Sequence, residues 1–404
     1  MKRIAVTGMG VVSPNGIGCE AFYQALQKGE SGIKRITRFD PSGYQTQIAG
    51  EVDDSAIVLD QRDVKMSFAI LAAREAMAMA QLNGHYAPKK CALSLGLGLE
   101  LFHVPDLIDW QKNRYPAVTD EDKFAFLNYP AERVVHLISH EFSLHSPPRL
   151  HLSACVASTD AIGTALELLR SGEVDVVVAG GTDSMVNPMG LGGFCLLGAL
   201  SARNDEPTKA SRPFDKNRDG FVLGEGAAFM VLEREENAKK RGADIQGFIL
   251  GHGHSMDAYS PSDPHPDGEG ALRAMKHALA DARITANDIS AVNAHGTSTP
   301  KNDVMETKAI QTLLGVRAMS VPVFATKSMT GHLIAAGGAL ETVGALLCMK
   351  QQSLHPTINT TEIDPSCQLD HVLGQPRKGH FSIVLKNSFA FGGHNSCLIL
   401  GSAE

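Results

Sequence analysis

Leu150-His151-Leu152-Ser153-Ala154-Cys155-Val156-Ala157-Ser158-Thr159 is where an apolar run stops and a helical pattern begins. Past Cys155, the residues Ile162, Ala165, Leu166 and Leu169 recur at helical spacing, and Ser171-Gly172 closes the pattern before the strand-like run Val174 to Ala179. The stretch therefore reads as strand, turn, helix, strand. A helix N-terminus presents unpaired backbone N–H groups and the positive end of the helix dipole, which favour thiolate over thiol and supply donors for an oxyanion. Cys155 is thus expected to be a nucleophile of lowered pKa, suited to acyl transfer. Cys19, Cys91, Cys195, Cys348, Cys367 and Cys397 read as small buried hydrophobes.

The same alternation extends in both directions. Strand-like runs are Ile4 to Thr7, Cys91 to Leu95, Val174 to Ala179, Ala227 to Leu232, Ile245 to Gly251, Ala291 to Ala294, Val323 to Ala325, Phe381 to Asn387 and Ser396 to Leu400. Helical patterns lie between many of them, including Val64 to Ala80 and the small, apolar, Gly-rich run Leu333 to Met349, so the class is α/β with buried mixed sheets. A charged helix over Glu233 to Arg241 sets the division, giving halves 1–242 and 243–404. Gly8-Met9-Gly10-Val11-Val12-Ser13 lacks the third glycine and the later acidic residue of a dinucleotide fingerprint, so no nucleotide cofactor is expected.

Two further segments place histidines in loops: Val292-Asn293-Ala294-His295-Gly296-Thr297-Ser298-Thr299-Pro300 and Lys327-Ser328-Met329-Thr330-Gly331-His332-Leu333. Among 16 histidines these two stand beside Gly and hydroxyl residues rather than on a charged face. Composition narrows the class. A net charge of −7 gives no reason to expect nucleic acid binding. No apolar run reaches membrane-spanning length, and Met1-Lys2-Arg3-Ile4 passes directly into a strand pattern rather than a signal peptide. Seven cysteines without paired short spacings point to reduced thiols and a cytoplasmic setting, and no zinc-type cluster is present, so no metal is expected.

Taken together, the motifs resemble the β-ketoacyl-[acyl carrier protein] synthases of the thiolase superfamily, end to end. The resemblance is carried by Ile4 to Pro14, Ser153-Ala154-Cys155, Ala179-Gly180-Gly181-Thr182-Asp183, Ser211-Arg212-Pro213-Phe214-Asp215, Arg218-Asp219-Gly220-Phe221, Gly224-Glu225-Gly226, both histidine segments, and Asn387-Ser388-Phe389-Ala390-Phe391-Gly392-Gly393-His394-Asn395. One Cys with two His is similar to the elongating class, like synthase II and the type II polyketide ketosynthases. Initiating synthases carry Cys, His and Asn, and thiolases a second Cys.

The resemblance implies a thiolase fold, two similar mixed-sheet halves in a five-layer αβαβα arrangement. It implies decarboxylative condensation: Cys155 takes an acyl group from a carrier-protein thioester, and His295 and His332 donate hydrogen bonds to the enolate from malonyl-carrier protein. Backbone N–H groups of Cys155 and Phe391 would form the oxyanion hole, with Phe391 gating the acyl pocket. Lys327 and Glu306 would form an ion pair that positions His332, with Asp303 nearby. Thr297 and Thr299 would hold the phosphopantetheine arm, which arrives on the substrate, so the enzyme needs no cofactor of its own. Arg62 and Lys65 lie where family members dock the carrier. A homodimer, or a heterodimer with a ketosynthase-like subunit, is implied. The family also raises a structural monovalent cation near Asn293, Glu341 and Asn387, which these residues alone do not predict.

This chain departs from the pattern at Val64, where a basic residue is common, at Leu99 to Asn128, and at Ala390, where glycine is usual and alanine is expected to stiffen the gating loop. These departures favour a specialised synthase, for example one making polyketide or polyene chains on its own carrier. The alternative of a different kind is a non-catalytic chain-length partner; such subunits usually lack the cysteine.

Overall fold

Each half of the chain builds the same five-stranded pattern. The computed structural model describes residues 2–53, 55, 57, 59, 63–98 and 131–403. Its main strands are Ile4–Ser13 (β1), Cys91–Leu97 (β2), Arg149–His151 (β3), Val176–Ser184 (β4), Glu225–Arg234 (β5), Gly247–Met256 (β6), Ala291–Asn293 (β7), Pro322–Phe324 (β8), Asp370–His371 (β9), Ile383–Phe389 (β10) and His394–Gly401 (β11). They follow one hydrogen-bonded path, β9-β8-β7-β10-β11-β6-β1-β5-β4-β2-β3, and the short strand Gly16–Ile17 on β1 completes a 12-stranded sheet.

Counted along the chain, the first half is ordered third-second-fourth-fifth-first (β3-β2-β4-β5-β1), and the second repeats this as β8-β7-β10-β11-β6, with β9 added outside β8. The pairings also repeat: two parallel, then two antiparallel. The halves join where the two first strands pair antiparallel, Ile4 opposite Ile249, Ala5 opposite Phe248 and Val6 opposite Gly247.

Helices complete five layers. Val64–Ala80 (α1) covers one outer face, with Phe68, Ala72 and Ala76 against Leu93, Val178 and Phe229. It packs close because Gly8 and Gly10 have no side chain: a Cβ at either would lie 2.0 Å from the carbonyl oxygen of Ala76 or Ala72. Ala157–Ser171 (α2) and Gly337–Lys350 (α5) lie between the sheets, where Ile162, Leu166, Leu340, Val343 and Leu346 join one central core. Only Leu347 and Lys350 of α5 escape full burial, as a helix enclosed on all sides requires. Glu269–Ala282 (α3) and Pro300–Leu314 (α4) cover the other outer face through Ala274, Ala278, Met305 and Ile310.

Two expected helices are shortened. Glu233 and Arg234 belong to β5, and the helix covers only Glu235–Lys240. The Glu233 carboxylate is buried and paired with Arg241 at 2.6 Å, so its charge does not mark an exposed face. The run from Leu333 begins as a 3₁₀ turn, Ile334–Ala336, before α5, because Ile334 has φ 44°, outside the α-helical region. Residues 99–128, where the sequence departs from the family pattern, lie outside the described residues.

Candidate active site

Both central helices start at the same cavity. The third strand of the first half, β3, leads into the 3₁₀ turn Ala154–Val156 and then α2; the third strand of the second, β8, leads through Lys327–Thr330 and Ile334–Ala336 into α5. The amino ends of the helices touch, Ser158 Oγ accepting from Ala339 N–H at 2.9 Å, and Asp183 of β4 holds the turn before α5, its Oδ2 accepting from Ala335 N–H at 3.0 Å. Their positive dipole ends therefore converge on this site.

Cys155, His295, His332, Thr297, Thr299 and Phe391 all line one cavity of about 310 Å³, together with Phe221, Phe389 and Ala390. The imidazoles of His295 and His332 sit edge to face, centroids 5.3 Å apart, and each residue is 3% exposed. Burial, then the Lys327 charge, holds both well below their ordinary value, with the Lys386 charge acting in the same direction. Both rings are neutral. Lys327 Nζ donates to His295 Nδ1 at 3.1 Å, and the Ile334 N–H donates to His332 Nδ1 at 3.2 Å. With Nδ1 accepting in each ring, the proton sits on Nε2.

Cys155 departs from expectation in its acidity. Placement at a helix start was expected to lower its pKa, but burial pushes the thiol up to about 12, against the opposing effects of the Lys327 charge and of backbone N–H donation from Phe391 and Cys155. Loss of water around sulfur outweighs the dipole in this closed cavity.

Lys327 is likewise placed differently from the sequence expectation. Its ion-pair partner is Glu341, not Glu306, and its ammonium serves His295, donating also to the His295 carbonyl at 2.7 Å, rather than His332. Glu306 instead holds the loop. Its carboxylate accepts from the N–H groups of His295 and Gly296, each at 2.8 Å, and from Asn387 Nδ2 at 3.0 Å. Asp303 extends this scaffold, accepting from Phe214 N–H at 2.8 Å and Thr297 N–H at 3.1 Å, with Arg218 3.5 Å away. Thr297 and Thr299 hydrogen-bond each other at 2.9 Å while lining the cavity.

Lys65 does not meet the expectation of a docking surface. It is 8% exposed, turned toward buried Asp183, whose pKa it lowers against the burial that raises it to about 6. Arg62 lies outside the described residues. Ala390 is extended, φ −130° and ψ 155°, which alanine adopts freely, whereas Gly392 and Gly393 have φ 83° and 80° and are the positions that require glycine. Phe391 stacks near Phe194, centroids 6.5 Å apart. Lys386, within strand β10, is fully buried and lies at the second oxygen of the Glu341 carboxylate, the first being held by Lys327.

Residues 1–238 match the family model for the Beta-ketoacyl synthase, N-terminal domain, and residues 246–361 that for the Beta-ketoacyl synthase, C-terminal domain. A 3-oxoacyl-[acyl-carrier-protein] synthase 2 of Coxiella burnetii is 41% identical, the alignment covering 99% of this chain and 98% of the relative. A type II PKS acyl-carrier protein in complex with its ketosynthase bound to the hexaketide is similar at TM-score 0.91 and 30% identity, covering 100% of both chains. The ishigamide ketosynthase/chain length factor is similar at TM-score 0.88 and 34% identity, again covering 100% of both. Matched in both halves and aligned with these relatives from end to end, the chain belongs to the β-ketoacyl synthase family, the acyltransferases that include 3-oxoacyl-[acyl-carrier-protein] synthase 2.

Proposed function

We propose that this chain elongates acyl chains on an acyl carrier protein, with Cys155 as nucleophile and His295 and His332 as the paired donors. The single observation that carries the assignment of roles is the tautomer pair: two neutral imidazoles, each with Nδ1 occupied, lining the same cavity as a buried thiol.

In the first step the Cys155 sulfur attacks the thioester carbonyl of an acyl-carrier protein. The C–S bond to the phosphopantetheine sulfur breaks, and the thiol proton ends on that leaving sulfur. Backbone N–H groups of Cys155 and Phe391, whose effect on the thiol is to lower its pKa against burial, would receive the tetrahedral oxyanion. In the second step the malonyl-carrier protein loses carbon dioxide, and the bonding pair becomes an enolate. The Nε2 protons of His295 and His332 would hydrogen-bond its oxygen in a site where both rings already sit in place. The enolate carbon attacks the acyl-Cys155 carbonyl, the C–S bond breaks, and the thiolate takes a proton to restore the thiol. The product is a 3-oxoacyl-carrier protein two carbons longer.

Thr297 and Thr299 are assigned to the phosphopantetheine arm because their hydroxyls line the same cavity. The reaction needs no cofactor beyond the arm the substrate brings. The proposal includes a cytoplasmic setting, supported by seven free cysteines, and a dimer, supported by the sheet-edge strand β3, where Leu150 and the adjacent Leu152 are 38% and 66% exposed.

The test is intact mass spectrometry after incubation with saturated and polyunsaturated acyl-carrier proteins. An adduct on Cys155 that malonyl-carrier protein discharges as a 3-oxoacyl product is the expected result, and the preferred acyl group identifies the pathway. No adduct from any donor would overturn the proposal in favour of a chain-length partner subunit.

A further inference from the structure

The family resemblance raises a monovalent cation near Asn293, Glu341 and Asn387. The side chains around Glu341 do not fit one. The Glu341 carboxylate is 2% exposed and shared by two lysines: Lys327 on one oxygen, and Lys386 Nζ 3.1 Å from the other. Lys386 is itself fully buried, and its ammonium, with three N–H groups, has three oxygens around it: Glu341 Oε2, Ser388 Oγ and Thr159 Oγ1, the last at 3.4 Å. Those two hydroxyls are 2.8 Å from each other, so they form one cradle. A free cation on Glu341 Oε2 would stand within a few ångströms of a buried ammonium, and like charges repel strongly where burial limits screening.

We propose that the Lys386 ammonium takes the place of a free monovalent cation in this chain, holding Glu341 from the side opposite Lys327 as a positioning residue for the Lys327–His295 contact. Burial, and then the Lys327 charge, lowers the Lys386 pKa, while the Glu341 carboxylate beside it opposes that and favours the ammonium; two ammoniums against one carboxylate leave this buried group with an excess positive charge. That charge opposes protonation of both imidazoles, which is the direction in which Lys386 acts on His295 and His332. Glu341 Oε2, which has the Lys386 charge beside it but no hydrogen-bond partner, and Asn293 Oδ1, also buried without one, are the oxygens a small cation would use if the ammonium were removed.

The catalytic half of this inference rests on the condensation reading; its thermal half does not. The full chain is studied in buffers whose only cation is tetramethylammonium, then titrated with K⁺, Na⁺ or methylammonium at constant ionic strength. Three readouts are followed: thermal unfolding, acylation of Cys155, and decarboxylation of malonyl-carrier protein. The wild type is expected to show the same Tm and rates throughout. Lys386→Ala is expected to lose at least about tenfold in decarboxylation in tetramethylammonium while still accepting an acyl group. Its Tm and rate should recover on adding a small cation. Lys386→Met, which fills the space without a charge, should show no recovery.

A saturable response of the wild-type Tm to K⁺ or Na⁺ would overturn the proposal, whatever the variants do. So would a Lys386→Ala protein that behaves alike in every salt. Folding of Lys386→Ala only when K⁺ or Na⁺ is present would support it.

Discussion

The two halves share one strand order and one way of starting the central helix, yet they supply different chemistry. Each begins that helix with a 3₁₀ turn holding a non-glycine residue in the left-handed region: Ala154 at φ 48° before Cys155, and Ile334 at φ 44° after His332. The first half places a thiol there, packed among apolar side chains such as Leu223 and Ile334. The second half brings His295, His332, Glu306, Lys327, Glu341 and Lys386, all nearly or fully buried. On the proposed mechanism, one scaffold position would serve nucleophilic attack in one half and proton placement in the other. The difference lies in how buried charges are arranged around it.

The sharpest way to break this division is to remove each side separately. Cys155→Ala is expected to abolish acyl-enzyme formation, a loss of at least about 10³-fold in product formation, while the histidine side still decarboxylates malonyl-carrier protein. His295→Ala or His332→Ala should leave acylation within a few-fold and lower decarboxylative condensation by roughly 10²- to 10³-fold. Intact mass and carbon dioxide release read the two steps independently. Retained condensation in the Cys155 variant would dissolve the comparison.

The contact between the halves offers a second test. A Cβ on Gly338 would lie 2.1 Å from Thr159 Oγ1 and 2.9 Å from the Thr159 nitrogen. Gly338→Ala should therefore force the helix starts apart, costing roughly 1–3 kcal/mol and lowering the Tm, with both partial reactions impaired together. An unchanged Tm would show that the ends of α2 and α5 are not tightly coupled.

The acid side of the pH profile sharpens the electrostatic contrast. Because both imidazoles are held well below 6.5, they remain neutral N–H donors as pH falls through the ordinary imidazole range. At about pH 5.5 malonyl decarboxylation should stay within about twofold of its neutral value, where an unshifted histidine would be protonated in a ratio of roughly ten to one. A loss with an apparent pKa near 6.5 would contradict the assigned charge state. The smallest effect is expected at Ala154. Replacing it with glycine relieves a left-handed alanine but frees the unfolded chain, so the net change should stay within about 1 kcal/mol, with slower acylation as the turn loosens.

The sequence revealed individual residues better than their partners. Cys155, His295, His332, Lys327 and Glu306 stand in segments whose small and hydroxylated neighbours set them apart, and the structure gathers all five in one region. The helical pattern predicts α1 from Val64, and the structure starts it there, with Asp63 capping it by accepting from Lys65 N–H at 3.0 Å. Which carboxylate meets Lys327 was not readable, because Glu341 reaches it from a separate helix. Lys65 looked like a surface lysine because periodicity in a largely apolar helix does not reveal which side is covered. The two similar halves follow from the resemblance and not from the residues themselves, because the repeat lies in strand order and pairing sense, not in residue identity. The raised pKa of Cys155 comes from tertiary burial, which local spacing does not encode.

The short joint between the two first strands has a consequence for the growing polypeptide. β1 is made first but ends in the middle of the sheet, and its free edge stays open until residues 247–249 leave the ribosome. The face of α2 that will meet α5 is also bare until nearly the whole chain has emerged. The nucleophile-bearing half is therefore incomplete as a nascent chain, and the enzyme closes its core only once the second half is there to cover it.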